Sequence, residues 1–171
     1  MEKIELRIAT QKDLPILWDI ALAMGAAKDG AYFNKSLEFQ EQGHRVVLIA
    51  SVDGVDAGYG MLAWVPKYAF FRKLGIGEIQ DLNVLSDYRR RGIASMMIEY
   101  CENLARDAGH EYIGIGVGMD ASYGPAQQLY VRRGYVPDGN GVTYDRKPIA
   151  KGEFKPIDDD MSLMLIKSLQ N

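Results

Sequence analysis

A chain of 171 residues has the usual size of one globular domain and can bury about 70% of the surface it exposes when unfolded, so a single domain over 1–171 is expected. Its 47% hydrophobic and 25% charged residues exclude a disordered, collagen-like or solenoid chain, and no uncharged run is long enough to span a bilayer. Twenty Lys+Arg against 23 Asp+Glu, a net charge of -3, lacks the positive field of a nucleic-acid binder, so neither nucleic acid nor membrane is an expected partner. Cys101 cannot form an internal disulfide, and His44 and His110 leave little for a metal site, so no metal is expected. The opening Met1 to Arg7 alternates charged and apolar residues where a secretory signal needs a basic start and an apolar core, which points to the cytoplasm.

Lys3 to Ala9 alternates with Ile4, Leu6 and Ile8 on one face and predicts a half-buried strand. Thr10 and Asp13 are candidate N-caps for a helix carrying Leu14, Leu17, Trp18, Ala21 and Leu22, which ends near Gly30. Asn34 can cap a short second helix to about Gln42, stopped by Gly43. Arg45 to Val52 and Val55 to Val65, joined by Asp53-Gly54, predict an antiparallel hairpin. Lys67 to Gly77 reads as a loop with a helical turn, and Glu78 to Leu85 as a strand. Ile93, Met96, Met97, Tyr100, Cys101, Leu104, Ala105 and Ala108 then form a full helical stripe that Gly109 ends. Tyr112 to Gly118 predicts a strand, Pro125 to Arg133 a helix, and Val142 to Arg146 and Met161 to Lys167 late strands. Helices alternate with strands in mid-chain and hairpins flank them, so the expected fold is α+β, a mixed sheet covered by helices.

The chemistry concentrates where a strand ends and the long helix begins, at Arg89-Arg90-Arg91-Gly92-Ile93-Ala94. A turn feeding a helix N-terminus exposes unpaired backbone N–H groups and the positive end of the helix dipole. Gly92 allows close approach to the backbone, Ala94 keeps the first turn uncrowded, and the arginines keep their charge at any relevant pH. A pyrophosphate suits such a site.

Arg89-x-x-Gly92-x-Ala94 resembles the [Arg/Gln]-x-x-Gly-x-[Gly/Ala] pattern of the GNAT-type N-acetyltransferase superfamily. Asp81-Leu82-Asn83-Val84 is similar to that family's central strand, and Ala126-x-x-Leu129-Tyr130-x-x-x-Gly134-Tyr135 to its later helix and turn. Leu6-Arg7-Ile8-Ala9-Thr10 with Asp13-Leu14-Pro15 is similar to its opening, so the resemblance runs along nearly the whole chain. It implies a mostly antiparallel mixed sheet with helices on both faces, and acetyl-coenzyme A entering between the strands Glu78 to Leu85 and Tyr112 to Gly118. The implied cofactor contacts are Leu82, Asn83, Val84, Arg89, Arg90, Arg91, Gly92, Ile93, Ala94, Ser95, Ser122, Tyr123 and Ala126. Many relatives carry Asn where Tyr123 stands, so Ser122 or Tyr123 would replace that contact.

The implied reaction is direct attack of a primary amine on the acetyl thioester. Tyr130 stands at the position of the family's general acid. Proton removal from the ammonium falls to Glu78, Asp81 or a water chain, with Glu78 first because it lies fourteen residues before Gly92, the offset of the base in some relatives. Strand alternation puts Glu78 and Asp81 on opposite faces, and either can instead be structural. A backbone N–H of Asn83 or Val84, presented by a bulge, would receive the charge on the oxygen. Gly114, Gly116 and Gly118 share a strand face that a pantetheine arm or the long helix could approach, with helix packing the plainer reading.

Glu78, Asp81 and Asp120 make a cationic small molecule or peptide a reasonable acceptor, while oligomeric state stays open, a homodimer included. The rival reading is a non-catalytic module that binds acyl-coenzyme A or nucleic acid through Arg89-Arg90-Arg91. A hydrolase is discarded: Asp120-Ala121-Ser122-Tyr123-Gly124 lacks the first glycine of a nucleophile elbow, and no histidine follows His110. Cys101 lies on the apolar helix stripe, and Asp158-Asp159-Asp160 reads as an exposed turn.

Overall fold

The computed structural model describes residues 1–170. They form a mixed α+β fold with eight strands in an open, mostly antiparallel sheet and five α-helices. No helix among the described residues is long and apolar enough to cross a membrane. The chain groups into two compact units, one of residues 1–64 and 79–101, the other of 65–78 and the residues from 102 on.

The first unit opens with β1 (Ile4–Ile8), α1 (Leu14–Ala23) and α2 (Tyr32–Glu41), followed by β2 (Arg45–Val52) and β3 (Val55–Ala63). It also holds most of β4 (Gly77–Val84) and the first part of α4 (Ile93–Asp107). The expected hairpin forms: β2 and β3 pair antiparallel from Val52↔Val55 outward, and Asp53 takes the left-handed conformation (φ 49°) that a tight two-residue turn needs. β1 pairs antiparallel with the far edge of β2, Ile4 opposite Val52 and Ile8 opposite Leu48. Leu17, Ile20, Phe33, Leu37, Val47, Ile49, Tyr59 and Met61 pack into one core, and Ala50, Val52, Ala57, Ile93 and Met97 into another.

Several boundaries and faces depart from the periodicity. Ile8 is exposed and Ala9 buried, while Arg7, itself partly exposed, ion-pairs with Asp56 at 2.7 Å and Asp13 at 2.9 Å. Helix α1 stops at Ala23 with left-handed Gly25 (φ 67°), not near Gly30, and α2 begins at Tyr32, ahead of Asn34. On α1 Leu22 points to solvent and Ile20 takes the buried place.

The second unit contains α3 (Ala69–Leu74), the remainder of α4, β5 (Tyr112–Gly118) and α5 (Gly124–Arg132). β6 (Val136–Tyr144), β7 (Lys147–Pro148) and β8 (Met161–Ser168) complete it, and its strands lie in the order β5-β8-β6-β7, every pairing antiparallel. β6 begins at Val136, well before the expected Val142, because Pro137, Gly139 and Gly141 hide a strand whose register slips between Pro137 and Val142. Asp145 and Arg146, both with positive φ, close the β6–β7 hairpin where the sequence predicted one continuous strand. On α4, Glu102 lies within the buried face while Met96 is exposed. Its carboxylate accepts hydrogen bonds from Lys167 Nζ (2.9 Å), Tyr135 Oη (3.0 Å) and Arg133 Nη2 (3.2 Å), a set that offsets the cost of burying the charge.

The glycine face of β5 belongs to the protein's own side chains, neither to a pantetheine arm nor to the long helix. A Cβ at Gly114 would stand 2.2 Å from Phe71 Cε2, one at Gly118 2.3 Å from the Tyr123 ring, and one at Gly116 3.1 Å from Met164 Sδ. Phe71 is fully buried with Tyr68, Ile76 and Met164, so it has nowhere to retreat. Gly114→Ala is therefore expected to cost about 1–3 kcal/mol by overpacking. Urea denaturation checks this, and adding Phe71→Leu should return part of the loss; a Gly114→Ala protein as stable as the parent contradicts the packing.

Candidate functional site

In the first unit the site is built at the end of β4. Leu82 and Val84 pack against the core around Ile93 and Met97, which fixes the strand end against the start of α4. Asp81 has φ 56°, a left-handed residue inside the strand of the kind a bulge contains, two residues before Asn83. The Asn83 side-chain amide secures it, donating to the Asp81 backbone oxygen and to Oδ1, both at 3.0 Å. A single 3-10 turn, Ser86–Tyr88, then carries the chain to the arginines.

The three arginines are not equivalent. Arg89 Nε donates to the Val84 carbonyl at 3.0 Å, and Arg91 pairs with Glu2, donates to the Asp87 carbonyl at 2.6 Å and covers the Tyr88 ring. Arg90 is exposed, sits at φ 62°, and its guanidinium makes no hydrogen bond or ion pair among the described residues. Gly92 follows at φ 85°, with nothing within 4 Å of where a Cβ would be. The first amide bonded inside the helix is that of Met96, to the Gly92 carbonyl at 3.0 Å, so Ile93, Ala94 and Ser95 present N–H groups with no intrahelical acceptor. Backbone donors, a dipole end and guanidinium charge form the donor set that a diphosphate takes, so these residues fit the phosphate part of a coenzyme A.

Asp81 is surrounded by partners that no sequence pattern marks. Lys28 Nζ, from the segment between α1 and α2, donates to both carboxylate oxygens at 2.9 Å and lies 4.5 Å from the centroid of the Tyr32 ring. Tyr32 Oη donates to Asp81 Oδ2 at 2.6 Å. Burial, and then the Asp81 charge, push the Tyr32 phenol far above its ordinary range.

Glu78 belongs to the second unit and is fully buried. Arg146, on the β6–β7 turn, donates to its Oε1 from Nε at 2.9 Å and from Nη2 at 2.8 Å, while its Oε2 has no partner. Glu78 and Asp81 thus answer to different cations. Tyr130 on α5 is buried beside Tyr135, its ring centroid 6.3 Å from that of Tyr135. Its hydroxyl is hydrogen-bonded to nothing among the described residues, and desolvation pushes it up to about 12. Tyr123 packs on Gly118 and donates to Asp159 Oδ1 at 2.9 Å; burial and then that carboxylate push its phenol up to about 12. Ser122 donates its backbone N–H to Asp120 Oδ1 at 2.8 Å, and half-buried Ala126 lies one turn before Tyr130 on α5.

Residues 15–135 match the model of the Acetyltransferase (GNAT) family. An uncharacterized N-acetyltransferase, YedL, of Escherichia coli (strain K12) is 25% identical over 92 residues, 54% of this chain; the match spans about half of that protein, 53%. The fold is similar to an N-acetyltransferase from Staphylococcus aureus Mu50, with TM-score 0.72 and 16% identity over 98% of this chain and 99% of that one. A GNAT family acetyltransferase from Elizabethkingia anophelis with acetyl-CoA bound has TM-score 0.65 and 16% identity over 96% of this chain and 97% of its own. The ribosomal-protein-alanine N-acetyltransferase of Brucella melitensis has TM-score 0.70 and 20% identity, covering 96% and 99%.

Gly92→Ala should destabilise the chain by about 1–3 kcal/mol through backbone strain alone, since a Cβ there meets no neighbour. Gly124→Ala has the same open space and a right-handed backbone (φ -52°), and should be neutral or stabilising by up to about 1 kcal/mol. Paired urea unfolding curves check this; equal effects at the two positions contradict it.

Proposed function

The chain belongs to the GNAT acetyltransferase family, and from that premise we propose that it is an N-acetyltransferase moving an acetyl group from acetyl-coenzyme A to a primary amine of a small molecule or peptide. The observation that carries the reading is the amide-rich mouth of α4, where Ile93, Ala94 and Ser95 lack helical acceptors behind a left-handed glycine. When bound, acetyl-coenzyme A supplies a thioester whose carbonyl carbon is open to an amine by direct attack.

The chain's own groups divide the remaining work. An ammonium has no lone pair, so Glu78 is assigned its proton: Arg146 fixes Oε1 and leaves Oε2 as a buried acceptor in need of a partner, met directly or through water. A backbone N–H of Asn83 or Val84, just beyond the break at Asp81, is assigned the charge that grows on the carbonyl oxygen. Tyr130 is assigned the leaving sulfur. Its phenol holds its proton throughout the neutral range, and a thiolate of ordinary pKa, about 8.5, is the weaker base. Full transfer from Tyr130 is therefore uphill, and its contribution is a hydrogen bond to the developing charge.

The rival reading, an arginine turn for nucleic acid, is disfavoured because the Arg89 and Arg91 side chains are spent on Val84, Glu2 and Asp87 within the protein. Acetyl-coenzyme A added to the purified chain in a calorimeter should bind, and absence of heat with no retained cofactor overturns the proposal. Tyr130→Phe and Glu78→Gln should each lower kcat by about 10²-fold or more with cofactor Kd unchanged. Because the phenol stays protonated below about 12, no alkaline loss of rate below that pH should disappear in Tyr130→Phe.

A further inference from the structure

Building on the reading of an amine acetyltransferase, we infer that Asp81 and Tyr32 form a recognition cage for the ammonium group of a cationic substrate, and that Lys28 is its tethered occupant. The cage has the parts such a ligand requires. Lys28 Nζ stands 2.9 Å from each Asp81 oxygen and 4.5 Å from the Tyr32 ring centroid, so the ammonium meets a carboxylate on one side and an aromatic face on another. Tyr32 Oη at 2.6 Å and Asn83 Nδ2 at 3.0 Å hold the carboxylate in place independently of the lysine.

A second observation comes from Tyr59. It is fully buried, and its hydroxyl has no hydrogen-bond partner among the described residues. Its ring packs edge-on against Phe33, 5.3 Å between centroids, and Phe33 in turn packs on Tyr32 at 5.1 Å. An ammonium with three N–H donors can use Asp81 and an additional oxygen, and a ligand is not bound by the path of the Lys28 side chain.

The occupant is poorly anchored. No backbone hydrogen bond involves Ala27 or Lys28 among the described residues, and the side chains of Lys28 and Asp81 are 20% and 16% exposed. A ligand that brings its own ammonium replaces this mostly buried pair like for like, so the carboxylate is not left unpaired when Lys28 is displaced. If Lys28 fills the cage nine-tenths of the time, apparent affinity for a competing ammonium is reduced about tenfold.

The test uses the full-length chain without any coenzyme, titrated with n-butylammonium chloride and, as neutral isostere, n-butanol, followed by amide NMR shifts. Lys28→Met should lower the butylammonium Kd about tenfold with shifts centred on Asp81 and Tyr32, and n-butanol should give none. Lys28→Met with Asp81→Asn should abolish the gain; if that double variant does not fold, Lys28→Met with Tyr32→Phe, which keeps the ring, should weaken it several-fold. Equal Kd in the parent and Lys28→Met, or a gain that survives both second substitutions, overturns the cage. Since the titration contains no acetyl-coenzyme A, failure to bind that cofactor overturns the acetyltransferase reading separately.

Discussion

Three backbone amides at the start of α4 have no helical carbonyl to bond, and that deficit is the constraint the surrounding structure answers to. Every neighbouring choice keeps the amides available. Gly92 turns the chain at φ 85° without placing a side chain in front of them. Arg89 and Arg91 are drawn back onto Val84, Asp87 and Glu2, and Ile93 and Met97 lock the helix to the β4 side chains Leu82 and Val84. Taken singly the forces are small, about 0.3–1 kcal/mol for an anion at a helix end and about 1.5–3 for a hydrogen bond to a charged group. The proposed diphosphate could collect several of them at once.

The same economy governs the buried charges. Glu102, almost completely enclosed, has three cations and a phenol; Glu78 has Arg146; Asp81 has Lys28, Tyr32 and Asn83. Removing one member of the Glu102 or Glu78 set leaves a stranded buried charge, at a cost of about 3–5 kcal/mol, so each of these two groups holds its neighbours to one arrangement. Glu102 satisfies all its acceptors and makes a structural node. Among the described residues Glu78 Oε2 is left without a hydrogen-bond partner, as is Arg133 Nε in the Glu102 set.

What the sequence made legible was local. Asp53-Gly54 specified its hairpin because few residues take a left-handed turn there, and Arg89-x-x-Gly92-x-Ala94 located the helix mouth from composition and spacing. The extent of β6 was not legible, since Pro137, Gly139 and Gly141 are ordinary loop residues and only pairing with β8 makes them strand. The α4 stripe misplaced Met96 and Glu102 because periodicity weighs residue type, whereas burial of Glu102 depends on Arg133 and Lys167, far along the chain. The β5 glycines were legible as a site of close approach, but not Phe71 and Tyr123 as what approaches. Lys28 and Arg146 could not be found for the same reason: nothing near them in sequence marks them as partners of Asp81 and Glu78.

Those two cations differ in a way that separates the carboxylates on β4. Arg146 lies in a two-residue hairpin turn whose other member, Asp145, donates its amide to Asp160 and accepts from Lys67 Nζ at 2.6 Å. Its guanidinium reaches Glu78 by two N–H groups on one oxygen, a geometry set by the planar fork and the tight turn together. Lys28 ends a flexible four-carbon stem on a stretch without backbone hydrogen bonds at its own position. A fixed cation holds one oxygen of Glu78 and leaves the second without a partner among the described residues, the feature on which its proposed role as proton acceptor rests; a flexible cation on Asp81 is what the proposed ammonium seat rests on. The contrast follows from how the partner of each carboxylate is tethered.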